Sequence, residues 1–215
     1  MEVFAHSPED PCAVLVCVSG LGSNHTQWNA VATAADDMAV VSYDREGIDV
    51  DEAAAELEDV VALAKRRYPG LPVVVLAHSW GAMIAHVWAT TPRPGVVGLI
   101  LADPSFPGNS EWIPAPLQRV ERTVARVHSQ HSARELPAFY HAWKTLQARD
   151  LAVSDLKTLV ISADNTRRHR YHVDEIRVWA ETIGADCVVS RSRKHALPTS
   201  DPGLLAGEAR RLALD

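Results

Sequence analysis

Cysteine is scarce in this sequence, since the 215 residues include three. An odd handful of thiols does not build the disulfide framework that staples small secreted proteins. Long apolar runs are also absent, and none approaches the roughly 18 residues of a membrane-spanning helix. The stretch from Met1 to Pro11 carries Glu2, Glu9 and Asp10 in place of the basic start and apolar segment of a secretory signal. We therefore expect a protein of the reducing cytoplasm with no membrane partner.

The chain has no excess of basic charge either. Its 21 Lys and Arg residues stand against 27 Asp and Glu, which gives a formal net charge of -6 at pH 7. A nucleic-acid-binding face is typically basic, so we expect no nucleic-acid partner. Ten histidines are many, but none is spaced with carboxylates or cysteines as metal ligands are. We expect neither a metal nor another cofactor.

What the chain does have is an alternation of strand and helix patterns. A hydrophobic content of 47% fits one enzyme-sized domain over residues 1–215. Apolar runs predict strands at Cys12–Val18, Ala39–Tyr43, Val73–Ala77, Val96–Ala102, Thr158–Ser162 and Asp186–Ser190. Helical patterns predict helices at Thr26–Ala35, Asp51–Tyr68 with Asp51 as its N-cap, from Ser79 to Thr91, Val173–Ile183 and Pro202–Leu212. This alternation predicts an α/β fold with three layers and a mostly parallel sheet.

Residues 104–152 interrupt the alternation. They contain no strand pattern, but a helical period runs from Leu117 to Val127 and a second helix is predicted over Pro137–Leu151. Aromatic residues are concentrated here, namely Phe106, Trp112, Phe139, Tyr140 and Trp143. The segment follows a parallel strand, so we interpret it as a helical insertion at the sheet edge where open α/β folds bind ligands. A helical hairpin packed for stability alone is the alternative.

Ser79 is the candidate nucleophile. It lies between the β-branched run that begins at Val73 and a helical pattern, and a sharp strand-to-helix turn would lift its hydroxyl clear of both elements. Such a turn needs small neighbours, which Ala77 and Gly81 supply two residues to either side. The alternative is a buried strand whose serine only caps the next helix.

Ala-His-Ser-Trp-Gly at positions 77–81 resembles the nucleophile elbow of the α/β-hydrolase superfamily, in its serine esterase, lipase and thioesterase-like branch. Ala77 replaces the usual first glycine. The chain order of the family's catalytic triad, serine, acid and histidine, is matched by Ser79, Asp164 and His195, each just past a predicted strand. Asp103, at the end of the preceding strand, is the alternative acid, and Asp164 is favoured.

The resemblance also implies an oxyanion hole built from the backbone N–H groups of Leu21 and Trp80. Ser19 stands where the family usually has histidine, and Gly20 permits close approach of the backbone to a ligand. In the family an insertion such as residues 104–152 forms a lid over the site. The resemblance therefore implies that Trp112, Phe139 and Trp143 are substrate-binding residues. The family commonly begins with two antiparallel strands. About eleven residues precede the first predicted strand here, which is enough for one such strand, so we expect a trimmed sheet.

The implied activity is hydrolysis of a carboxylic ester, thioester or lactone of a small apolar or aromatic molecule through an acyl-enzyme. The same site could serve an acyltransferase, a hydroxynitrile lyase or a cofactor-free carbon–carbon bond enzyme. A ligand-binding receptor without turnover is a further alternative. The basic run with Arg167, Arg168 and Arg170 is interpreted as a solvated helix entry, with an anion-binding role as the alternative. The oligomeric state is left open.

Overall fold

The computed structural model describes residues 1–106, 130–146, 151–153, 156–164 and 172–215. Within these residues one seven-stranded sheet is formed. Its strands are Glu2–His6 (β1), Val14–Val18 (β2), Ala39–Asp44 (β3), Val73–His78 (β4), Val96–Ala102 (β5), Thr158–Ser162 (β6) and Asp186–Val189 (β7). The strand order is β1-β3-β2-β4-β5-β6-β7. The pair β1 and β3 is antiparallel and the other pairs are parallel. A mostly parallel sheet with one strand before β2 confirms the predicted α/β class and the trimmed edge.

Helices connect these strands. A 3-10 turn at His25–Trp28 is followed by the α-helices Asn29–Ala34 (α1), Val50–Arg67 (α2), Trp80–Trp88 (α3), Gln130–Thr145 (α4), His172–Thr182 (α5), Leu197–Ser200 (α6) and Pro202–Leu214 (α7). No helix in these described ranges is long and apolar enough to cross a bilayer.

Several helix boundaries differ from prediction, and the starts of α2 and α4 are the most informative. The N-cap of α2 is Asp49 and not Asp51, because the Asp49 carboxylate accepts hydrogen bonds from the N–H groups of Asp51 and Glu52 at 3.0 and 2.8 Å. Helix α4 begins seven residues before Pro137 and carries that proline inside it. The sequence pattern placed Pro137 at the start of a helix because proline lacks a backbone N–H donor. In the structure the helix accommodates that missing donor in its interior.

The strands bury both faces of the sheet. Val14, Val16 and Val18 of β2 belong to the apolar core shared with α2, α3 and α5. The intervening Leu15 and Cys17 belong to the core shared with α1 and α7. Side chains alternate across a strand, so helices on both faces require the continuous apolar runs that predicted these strands. The three-layer arrangement is therefore confirmed.

The parallel strands bring the candidate site residues to one edge of the sheet, at their carboxyl ends. Ser79 follows β4, Asp103 follows β5, and the loop after β7 carries His195. The expected division into one domain with a lid over residues 104–152 stays a prediction. Residues 107–129 and 147–150 of that segment, with the first helical pattern and Trp112, lie outside the described residues.

Candidate active site

Ser79 is a single strained residue between β4 and α3. Its φ of 54° and ψ of -117° lie where residues with a side chain rarely occur. The conformation is held from the backbone, since its N–H donates to the Ala102 carbonyl at 3.1 Å. The Ser79 side chain makes no capping hydrogen bond to α3. Serine as a simple helix cap, the alternative explanation of this position, is therefore not what the structure contains.

A hydrogen-bonded chain links Ser79 to His195 and to a carboxylate. Ser79 Oγ lies 2.8 Å from His195 Nε2, and His195 Nδ1 lies 2.6 Å from Asp103 Oδ2. A carboxylate only accepts, so Nδ1 carries the proton and Nε2 accepts from the serine hydroxyl. The Asp103 side chain is fully buried, while that of His195 is 55% exposed. This leaves the imidazole accessible to water.

The carboxylate hydrogen-bonded to His195 belongs to Asp103, the alternative acid, and not to Asp164, which the sequence favoured. The second oxygen of Asp103, Oδ1, accepts from the Ala163 N–H at 2.9 Å, which fixes the carboxylate between β5 and β6. The backbone N–H of Asp164 donates to the Ser192 carbonyl at 2.7 Å, and its carboxylate lies 3.9 Å from Arg193. Asp164 is thus held against the loop before His195 and not against its ring.

The expected oxyanion-hole residues lie on either side of Ser79. Trp80 begins α3, and Leu21 lies in the loop after β2. A Cβ placed on Gly20 would lie 3.0 Å from His78 Nδ1 and 3.3 Å from Ser79 Cβ. The loop therefore passes directly over the nucleophile, and glycine permits this approach. The Leu21 N–H has no acceptor among the described residues.

His78 is a buried histidine that joins three parts of the site. Gln27 accepts from the Gly20 N–H at 3.0 Å through Oε1, so its Nε2 donates to His78 Nδ1 at 2.9 Å. His78 Nε2 then carries its proton and donates to the His195 carbonyl at 2.7 Å. Burial, and next the nearby His195, lower the pKa of His78 from 6.5 to about 3. The ring is therefore neutral at working pH.

Of the three aromatic residues expected to bind substrate, Phe139 and Trp143 lie within the described part of the chain. Phe139 meets Trp80 edge to face, with ring centroids 5.3 Å apart. Trp143 and Phe139 are partly buried and pack against the core cluster that contains Trp80 and Met83. Trp112 lies outside the described residues, as does the basic run at 167–170. Phe139 and Trp143 thus pack in the cluster that contains Trp80, the residue after Ser79.

Gln27 and Glu135 are not predicted from the sequence as site residues, and neither is His78. Only His78 carries a local signal, its position directly before Ser79. The other two reach the site through contacts distant in sequence, which no local pattern shows. His86, on α3, is buried with its Nε2 2.7 Å from the Leu151 carbonyl. In the described part of the chain, no group of three or more His, Cys, Asp and Glu side chains is placed to hold a metal.

Comparison with known proteins gives similar sequences and similar folds. Residues 9–185 match the family described as serine aminopeptidase, S33. This range contains Ser79 and Asp103 but ends before His195. The uncharacterized protein YqjL of Bacillus subtilis (strain 168) is 24% identical over 162 residues. That match covers 69% of this chain and 61% of YqjL, so less than two thirds of the relative's length is represented.

Solved structures of hydrolases resemble the whole fold. A lipase-esterase related protein from Clostridium acetobutylicum superimposes with a TM-score of 0.74 at 10% identity, covering 98% of each chain. An esterase from Thermogutta terrifontis gives a TM-score of 0.68 at 18% identity, covering 97% of this chain and 92% of the other. Identities this low establish the fold alone. Since the family model spans most of the chain, the protein belongs to the serine aminopeptidase S33 family of the α/β-hydrolases.

Proposed function

We propose that this protein is a serine hydrolase that cleaves a carboxylic ester, thioester or lactone through an acyl-enzyme. The observation that carries the proposal is the hydrogen-bonded chain from Ser79 through His195 to Asp103, with distances of 2.8 and 2.6 Å. A hydroxyl is a useful nucleophile only when a base can take its proton, and the base must itself be oriented. His195 as the base and Asp103 as the group that orients it lie with Ser79 at one edge of the sheet.

In the proposed reaction Ser79 Oγ attacks the substrate carbonyl carbon while His195 Nε2 takes its proton. His195 then returns the proton to the leaving group, and the acyl group remains on Ser79. A water molecule, deprotonated by the same Nε2, attacks the acyl carbon. The bond between that carbon and Ser79 Oγ then breaks, Nε2 returns the proton to Oγ, and the acid is released. Asp103 keeps the proton on Nδ1 throughout and stabilises the imidazolium. The exposure of His195 gives the second step access to water.

The N–H groups of Leu21 and Trp80 are proposed to receive the negative charge that develops on the carbonyl oxygen. Trp80 is the first residue of α3, where backbone N–H groups are free of helical partners and the helix dipole favours an anion. Leu21 approaches from the loop over Ser79. In related sites one such donor contributes about 3 kcal/mol to the transition state.

An apolar or aromatic acyl group is the proposed substrate feature. Support comes from Phe139 and Trp143, which lie on α4 next to Trp80. Aromatic side chains present large apolar surfaces to a bound group. Fold and site do not by themselves fix the reaction, so acyl transfer to another acceptor is kept as an outcome of the test.

The test is covalent labelling followed by turnover. A fluorophosphonate probe should add one adduct, on Ser79, when the labelled protein is digested and examined by mass spectrometry. A panel of chromogenic esters of graded acyl length, with aminoacyl para-nitroanilides beside them, should show hydrolysis of esters. Ser79→Ala should lower that turnover by about four to six orders of magnitude. Wild-type-like turnover in Ser79→Ala would overturn the proposal. Transfer of the acyl group to an added alcohol, in place of water, would assign acyl transfer.

A further inference from the structure

A buried ion pair connects the loop over Ser79 to helix α4. Arg45 Nε and Nη2 donate to Glu135 Oε1 at 2.9 and 2.5 Å. The two side chains are 2% and 3% exposed. Arg45 follows β3, whereas Glu135 is 90 residues away on α4. The pair is therefore a tertiary contact between the sheet edge and the segment expected to form the lid.

Both partners also hold the backbone of the loop. Arg45 Nη1 donates to the Ser19 carbonyl at 2.8 Å, and Nη2 donates to the Gly20 carbonyl at 3.3 Å. Glu135 Oε2 accepts from the Gly22 N–H at 2.7 Å. The ion pair thus holds the loop on both sides of Leu21. Consecutive peptide groups from Ser19 to Gly22 each have a side chain fixing their orientation.

The peptide group between Gly20 and Leu21 carries the N–H that is proposed for the oxyanion hole. In a trans peptide the carbonyl and the following N–H point in opposite directions, and the described residues contain no cis peptide bond. The Gly20 carbonyl accepts from Arg45 Nη2 at 3.3 Å and from the Ser23 N–H at 3.2 Å, so the side chain and the turn together fix the Leu21 N–H on the opposite side of the loop. That N–H is the one left without an acceptor among the described residues. A flip of this single peptide would withdraw it from the site.

We propose that Arg45 and Glu135 are positioning residues that orient the Leu21 N–H for the oxyanion, an inference that rests on the proposed function. The competing explanation is that the pair only stabilises the fold. Replacing a buried ion pair by apolar side chains of similar volume is often neutral or stabilising. The double variant Arg45→Met/Glu135→Leu therefore separates folding from orientation, because it removes both charges and keeps the volume filled.

The experiment measures ester turnover and the acidity of a transition-state mimic in the intact protein. A trifluoromethyl ketone labelled with 13C at its carbonyl forms a hemiketal when Ser79 Oγ adds to that carbon and the proton passes to His195. The pH dependence of the 13C shift gives the pKa of the hemiketal hydroxyl, which an oxyanion hole lowers. We expect the double variant to raise this pKa by about one to two pH units. It should lower kcat about 10- to 100-fold with a smaller change in KM, since a displacement of about 1 Å in a catalytic group costs this much.

Two further variants keep the test decisive. Arg45→Lys keeps the charge but cannot donate to two carbonyls and Glu135 in the same fixed geometry, so its kcat and hemiketal pKa should fall between wild type and the double variant. Arg210→Gln breaks a partly exposed arginine–carboxylate pair away from the site, in which Arg210 Nε on α7 donates to Asp37 at 2.7 Å. This control should leave both readouts unchanged.

The outcomes separate this inference from the proposed function. A double variant that folds with wild-type kcat and hemiketal pKa overturns the positioning role, and so does an Arg45→Lys variant with both values unchanged if the double variant does not fold. A wild-type protein that forms no hemiketal and hydrolyses no ester overturns the proposed function itself.

Discussion

Two aspartates follow neighbouring strands, β5 and β6, and only Asp103 reaches the ring of His195. Its φ of 41° turns the chain sharply after β5, and its N–H donates to the Ile161 carbonyl at 2.6 Å. Together with the Ala163 contact, this directs Oδ2 toward the imidazole. Asp164 comes after a strand that ends beside the loop of Ser192, and its carboxylate faces Arg193. The choice between the two acids depends on turn geometry.

Asp103→Asn should lower kcat by up to about 10⁴-fold, because the amide no longer fixes the imidazole tautomer or balances its charge. Asp164→Asn should keep near-normal turnover. Ester hydrolysis by the two variants, compared at equal concentration, checks the assignment. Circular dichroism and fluorophosphonate labelling of Ser79 serve as controls for folding. A large loss confined to Asp164→Asn would contradict it.

At the scale of elements, the turn from β4 into α3 is packed against the end of β2. A Cβ on Gly81 would lie 2.5 Å from the carbonyl oxygens of Val18 and Ser19. These are backbone atoms that cannot rotate away. The small residue two positions after Ser79 is therefore required by the close approach of α3 to the end of β2.

Gly81→Ala should lower the free energy of unfolding by about 1–3 kcal/mol or more, because overpacking forces the backbone of α3 or β2 to shift. Gly207→Ala is the matched control. It lies inside α7 with no atom within 4 Å of a new Cβ. There alanine should raise stability by about 0.5–1 kcal/mol through its better helix propensity. Urea unfolding of both variants gives the comparison, and equal effects would refute the packing argument.

Helix α4 is the helix of the expected lid that the structure describes, and its Phe139 and Trp143 pack against the cluster that contains Trp80. Trimming Phe139 or Trp143 to Ala should therefore change the order in which acyl groups are preferred more than it changes folding. Trp112→Ala is expected to act in the same way. The ester panel measures the ranking and thermal unfolding measures stability. An unchanged ranking in all three variants would mean that the segment does not select substrate.

At the scale of the whole molecule, buried histidines make stability depend on pH. Burial lowers the pKa of His78 to about 3, and burial also lowers that of His86. Between pH 6.5 and about 3 the unfolded chain binds the His78 proton and the folded chain does not. Stability therefore rises with pH across this window and falls as the solution is acidified.

His78→Gln should weaken this dependence, since glutamine can donate to the His195 carbonyl without a titrating ring. The difference from wild type should approach about 1.4 kcal/mol per pH unit within the window. Chemical unfolding at a series of pH values measures it. His6→Gln, which removes an exposed histidine on β1, should follow the wild-type curve. If His78→Gln also follows it, the neutral buried ring is not the cause.

The sequence by itself determined the elements and the nucleophile candidate. A parallel strand buried on both faces needs a continuous apolar run, so β5 and β6 are predicted at their observed bounds. The position of Ser79 is local as well, because small residues two positions to either side reflect the crowding of one turn. Helix ends were less well predicted, since the choice of Asp49 over Asp51 and the tolerance of Pro137 depend on individual side-chain and packing contacts.

Only the tertiary structure decided which side chains meet at that serine. Asp103 and Asp164 both follow strands and both carry carboxylates, and a positive φ after β5 selects the first. Arg45 meets Glu135 across 90 residues, and His78 meets the His195 carbonyl across 117. Such contacts form when the strand ends converge at one edge of the sheet. Sequence periodicity records which face of an element is buried, but it does not record which residue of another element lies against that face.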